Sequence, residues 1–130
     1  MYAELTLENI TLTKGATPSN HIGGAGVYVN SGGTLIMQGS STITNCNAGK
    51  GGGVHVSGGT FKMQGSAIVT PSTGSEQYTP GKNDVYLDDI GSSSGTSISR
   101  ITVTGSLTPP DGIAARITVA DYKYQPTTQV

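Results

Sequence analysis

One segment of this chain is written twice. Gly26-Val27-Tyr28-Val29-Asn30-Ser31-Gly32-Gly33-Thr34-Leu35-Ile36-Met37-Gln38-Gly39-Ser40 recurs as Gly53-Val54-His55-Val56-Ser57-Gly58-Gly59-Thr60-Phe61-Lys62-Met63-Gln64-Gly65-Ser66, and the match runs on to Ile43-Thr44 against Val69-Thr70. The offset is 27 residues at Val27 and Val54 but 26 at Thr34 and Thr60, so the second copy is one loop residue shorter. A unit this short, built of brief alternating runs between glycine-rich corners, cannot enclose a core alone and must stack on its neighbours.

Each copy holds two clear alternating triplets, Val27-Tyr28-Val29 and Leu35-Ile36-Met37, and a weaker third around Thr42-Ile43-Thr44. Successive side chains of a strand point to opposite faces, so Val27 and Val29, Val54 and Val56, Leu35 and Met37, and Phe61 and Met63 are the expected inward pairs. Gly32-Gly33 and Gly58-Gly59 supply the backbone freedom of a sharp corner. The pattern loosens at Asp84-Val85-Tyr86-Leu87 and Ile101-Thr102-Val103-Thr104-Gly105, which repeat the two triplets around a Gly/Ser-rich insertion from Asp88 to Ser99. Upstream, Leu5-Thr6-Leu7 and Ile10-Thr11-Leu12 suit two strands of a preceding turn, and Ile113 to Val119 suits a closing strand. The expected fold is therefore all-β: a short parallel β-helix of about four turns with three strands per turn. It fills residues 1–122 as one domain, leaving 123–130 as a tail. The opening, Glu4 to Leu12, enters strand alternation at once, which reads as a segment of a longer repeat region.

Composition narrows the rest. Only 34% of residues are apolar and 12% charged, with 20 glycines, which favours short strands and turns over amphipathic helices. Net charge is −1 and the basic residues are scattered, so the footprint of a nucleic-acid binder is missing. No run approaches the roughly 20 apolar residues of a helical membrane span, and the first residues lack a secretion-signal pattern. The single cysteine, Cys46, cannot form an internal disulfide and is expected to fill core space.

The phrase Gly-Gly-Val-Tyr/His-Val, then Ser-Gly-Gly-Thr-Leu/Phe, then Met-Gln-Gly-Ser, resembles the repeat of bacterial surface proteins with right-handed parallel β-helix, pectin-lyase-like regions. The Asn83-Asp84-Val85-Tyr86-Leu87 segment followed by Ile101-Thr102-Val103-Thr104-Gly105 is similar to the way such arrays finish. The likeness spans most of Leu5 to Tyr122. It implies a right-handed solenoid in an exported, surface-located bacterial protein, in an adhesin-like, scaffold or display role. The same regions also occur in polysaccharide-degrading enzymes, so a carbohydrate-active enzyme or a carbohydrate-binding module is the alternative.

The candidate chemistry is sparse. Glycosidic cleavage calls for clustered carboxylates on one face, yet all eight acidic residues lie outside the two matched coils, and a non-enzymatic role without a cofactor is expected. Asp84, Asp88 and Asp89 are the one local acidic group; a hard cation such as Ca²⁺ would need further oxygen ligands, so a solvated turn is the plainer reading and no metal site is assigned. The glycine runs Gly23-Gly24-Ala25-Gly26 and Gly51-Gly52-Gly53 precede strands rather than helices and lack Gly-Lys-Ser/Thr, which argues for corners over phosphate loops. His21 and His55 complete neither a zinc set nor a hydrolytic triad. Aligned copies place Tyr28, His55 and Tyr86 at one outward position of successive turns, a flat column that could hold a sugar ring or a partner protein's apolar side chains, or could simply stabilise the sheet. The expected partners are a glycan or a host or cell-surface protein, and further copies of the chain through the exposed ends of the solenoid.

Overall fold

A computed structural model describes residues 3–16, 24–48, 50–70, 85–88 and 98–120. These form eleven strands: β1 (Glu4–Glu8), β2 (Thr11–Thr13), β3 (Val27–Val29), β4 (Thr34–Gln38), β5 (Thr42–Thr44), β6 (Val54–Ser57), β7 (Thr60–Gly65), β8 (Ile68–Val69), β9 (Val85–Asp88), β10 (Arg100–Leu107) and β11 (Ile117–Val119). They order into three sheets, a first of β3-β6-β9-β11, a second of β1-β4-β7-β10 and a third of β2-β5-β8, and every pairing is parallel. The chain visits the sheets in rotation, so strands that follow one another in sequence lie on different faces and strands one repeat apart are neighbours. The fold is a short all-β parallel solenoid. Two coils are complete, β3-β4-β5 and β6-β7-β8, and they are the two that match best in sequence.

Register follows the repeat residue by residue. Val27, Tyr28 and Val29 lie against Val54, His55 and Val56, which lie against Val85, Tyr86 and Leu87, and those against Ile117, Thr118 and Val119. On the second sheet Leu5, Leu35, Phe61 and Ile101 form one row, and Leu7, Met37, Met63 and Val103 another. A one-residue slip would turn every inward side chain to solvent, so the alternation pins the register. The expected inward residues of the two matched coils make the core: Leu35, Met37, Val54, Val56, Phe61 and Met63 are buried with Val29, Ile43, Val69 and Val85. Cys46 is buried among them as a free thiol, donating to the Thr44 carbonyl at 3.4 Å.

Corners repeat as faithfully as strands. Gly32 and Gly58, between the first and second sheets, have φ of +75° and +78°, the left-handed region that glycine enters without a Cβ penalty. The corner between the second and third sheets carries its own column, Asn9, Gly39 and Gly65, at φ of +53°, +59° and +69°. The third corner uses Lys14 and Asn45, at +62° and +53°. Asparagine tolerates this conformation through local hydrogen bonding of its short polar side chain. Here Asn9 Oδ1 accepts from Ser40 N at 3.0 Å and from Ser40 Oγ at 3.1 Å, tying the first turn to the second.

Beyond the complete coils the last turn is abbreviated. Ala114 takes a third-sheet place without forming a strand, accepting from Val69 N at 2.8 Å, and β11 then adds a further rung to the first sheet. The closing strand expected from Ile113 to Val119 is thus confined to its last three residues.

Candidate functional site

The alternation of an aromatic ring between two aliphatic residues in β3, β6 and β9 turns Val27, Val54, Val56 and Val85 toward the core and places Tyr28, His55 and Tyr86 in one row. The row exists, but its geometry is not the flat column expected from sequence. Tyr28 and His55 rings are 4.9 Å apart and tilted by 51°, while His55 and Tyr86 are 5.2 Å apart at 65°, edge against face. Aromatic quadrupoles favour such tilted contacts over parallel sandwiches. Nor is the row open along its length: Tyr28 is 47% exposed, His55 is 1% and Tyr86 4%. Only one of the three rings presents a surface to a ligand.

The buried part of the row is a small polar cluster. Lys50 Nζ lies 5.0 Å from the Tyr86 ring centroid, within cation–π range. His55 Nε2 stands 3.6 Å from Asp88 Oδ2, an ion-pair distance rather than a hydrogen bond, and neither ring nitrogen of His55 has a hydrogen-bond partner among the described residues. Burial pushes the His55 imidazole below its ordinary value of 6.5; the Asp88 carboxylate opposes this and the Lys50 ammonium adds to it. Folded His55 therefore binds protons less readily than unfolded His55. Stability should be full above pH 6.5 and should fall as pH drops through that value toward the lower folded pKa, by at most about 1.4 kcal/mol per pH unit for one proton. Urea midpoints measured from pH 8 to pH 5 should show this decline, and His55→Phe should flatten it; an equally steep decline in the variant would place the proton elsewhere.

Ser99 anchors the far end of the insertion beside this cluster. Its Oγ accepts from Gly58 N at 2.8 Å, and its single proton is shared between the carbonyls of Val56, at 3.0 Å, and Asp88. Residues 89–97 lie outside the described residues, as do Asp84, Asp89, His21 and the tail at 123–130. Of the three acidic residues singled out in the sequence, only Asp88 is described, and its neighbour there is an imidazole. Among the described residues no group of three or more His, Cys, Asp or Glu is placed to hold a metal, and no helix is long and apolar enough to cross a membrane.

A second feature was invisible in the sequence. Among the described strands β3 pairs with β6 alone. A cavity of about 370 Å³ lies beside it, lined by residues that include Ala3, Leu5, Tyr28, Asn30 and Leu35.

Fold and site together define a parallel β-solenoid with a mostly buried aromatic row. Comparison of the chain with protein-family models, with curated proteins and with solved structures gives no match in any of the three.

Proposed function

We propose that this chain is a non-enzymatic scaffold segment of an exported, surface-located bacterial β-helix protein, which extends and displays what it is joined to and contacts its surroundings in an adhesin-like manner. The observation that carries this reading is how the outward polar side chains are used. Gln64 Nε2 donates to Gln38 Oε1 at 3.1 Å and Thr104 Oγ1 donates to Gln64 Oε1 at 3.1 Å. On the third sheet Thr70 Oγ1 donates to Thr44 Oγ1 at 2.6 Å, and at the corner Ser66 and Thr108 hydroxyls lie 3.3 Å apart. These groups link one turn to the next, which suits a rod better than a reaction centre, where polar groups converge on a substrate. The pectin-lyase-like resemblance of the repeat is the reason for placing the parent protein outside the cell.

Protease shaving of intact cells that make the natural protein tests the location: loss of the segment from intact cells is expected, and complete protection until lysis would refute it. Incubation of the purified chain with pectic and other acidic polysaccharides should release no new reducing ends or unsaturated products. Release would favour the carbohydrate-active alternative. Carbohydrate recognition without catalysis has one observation in its favour, the exposed ring of Tyr28. Glycan-array signal that Tyr28→Ala abolishes would establish it.

A further inference from the structure

We propose that His55 is an acid-responsive latch: a proton taken up by its buried ring opens the clasp that Asp88 and Ser99 make on β6, while the coils stay folded. His55 sits on an interior rung, paired on one side with β3 and on the other with β9. Its ring lies 4.9 Å from that of Tyr28 and 5.2 Å from that of Tyr86. It is 1% exposed, and neither of its nitrogens has a hydrogen-bond partner among the described residues. A neutral imidazole leaves one N–H unpaired in such a place. An imidazolium has two donors and a full charge, and burying these without acceptors costs far more.

The groups facing the ring decide how that charge is met. From β9 come the Asp88 carboxylate, its Oδ2 3.6 Å from His55 Nε2, and the Tyr86 ring; from β3 comes the Tyr28 ring. From the corner before β6 comes Lys50, whose ammonium lies 5.0 Å from the Tyr86 ring centroid. Among the described residues Asp88 is the one carboxylate facing the ring, and it stands beyond hydrogen-bond distance. Lys50 repels an imidazolium. The closed arrangement therefore holds the ring neutral, in keeping with the lowered proton affinity of His55, which burial causes first, Asp88 opposes and Lys50 reinforces. Charging the ring requires Asp88 to move onto it and water to reach Nδ1.

Neither movement leaves the clasp intact. Asp88 lies against Ser57 in the β6–β9 ladder, and its carbonyl accepts from the Ser99 hydroxyl. The same hydroxyl donates to the Val56 carbonyl at 3.0 Å and accepts from the Gly58 amide at 2.8 Å. Val56 and Gly58 flank Ser57, so one hydroxyl ties β6, β9 and the residue before β10 together. A shift of Asp88 toward the ring draws its carbonyl off that hydroxyl, and the Gly58 amide loses its partner with it. Once open, the ring is hydrated and takes its proton near the ordinary value of 6.5. Acid thus favours the open form. The open-to-closed ratio is level above pH 6.5 and rises below it, by at most about tenfold per pH unit, until the lower pKa of the closed form is passed.

Amide hydrogen exchange of the full 130-residue chain tests this, because the buried Gly58 amide reports the clasp. Corrected for the intrinsic rate, its protection should fall about five- to tenfold from pH 6 to pH 5, and less than about twofold from pH 7.5 to pH 6.5. At each pH it should be smaller than the protection set by global unfolding, and insensitive to sub-denaturing urea, since opening the clasp exposes little surface. His55→Phe and His55→Gln should both flatten the fall. Ser99→Ala should lower Gly58 protection already at pH 7.5. Gly58 protection equal to the global stability at every pH overturns the proposal, because the proton would then be taken up only on unfolding. So does a fall that both His55 variants retain, which would place the proton on another group.

Discussion

Phe61→Ala should lower the unfolding free energy by about 3–5 kcal/mol, the range for truncating a fully buried phenylalanine. Phe61 is wholly buried in the second sheet of a complete coil, in a row between Leu35 below and Ile101 above. The truncation removes apolar burial and leaves a void that parallel strands, fixed at about 4.8 Å by their ladder hydrogen bonds, cannot close by moving together. The loss is large against the 5–15 kcal/mol that typically separates folded from unfolded states. Because each turn touches only its neighbours, weakening a middle rung also uncouples the turns on either side. Urea unfolding should show a lower midpoint, and Phe61→Leu should retain most of the stability. Equal midpoints for wild type and Phe61→Ala would mean that this row does not hold the turns together.

Gly39→Val should cost about 3–5 kcal/mol, although it adds apolar surface. The residue sits at φ +59°, where a β-branched side chain is strained by roughly 1–3 kcal/mol. A Cβ there would come 2.3 Å from Asn9 Oδ1. Asn9 would have to swing away, abandoning both hydrogen bonds to Ser40, each worth about 1 kcal/mol. The two contributions separate in a double-mutant cycle. Asn9→Gly alone should cost little beyond the lost hydrogen bonds, and Gly39→Val in that background should cost only the backbone strain. Thermal denaturation of the four proteins reads this directly. Strict additivity would show that Asn9 and Gly39 are independent and that the corner column is not a connected element.

Much of this fold was legible because a solenoid converts sequence period into spatial adjacency. Val27 pairs with Val54 for the same reason that the two segments align: each turn must return the chain to the same face. The inward pairs Leu35 with Met37 and Phe61 with Met63 followed from alternation alone. The corner at Gly32 and Gly58 was equally plain, since paired glycines mark a bend. The other two corners were harder to see. Asn9 and Lys14 carry side chains, and only their alignment beneath Gly39 and Asn45 shows that the backbone there is left-handed.

The aromatic row divides along the same line. That Tyr28, His55 and Tyr86 share a row is a consequence of the repeat, and so is their opposition to the core valines. Which rings are covered is not, because exposure depends on residues that have no counterpart in the other copies of the repeat: Lys50 reaching the Tyr86 ring, Asp88 beside the His55 imidazole, and Ser99 clasping the backbone of β6 from 43 residues away.

The sequence by itself determined a stack of parallel coils with known inward faces, since hydrophobic period and register are local properties repeated along the chain. Only the tertiary structure decided that Tyr28 stays exposed while His55 and Tyr86 of the same row are buried. Whether a ring is covered depends on what adjoins its rung in space, and no single turn encodes that.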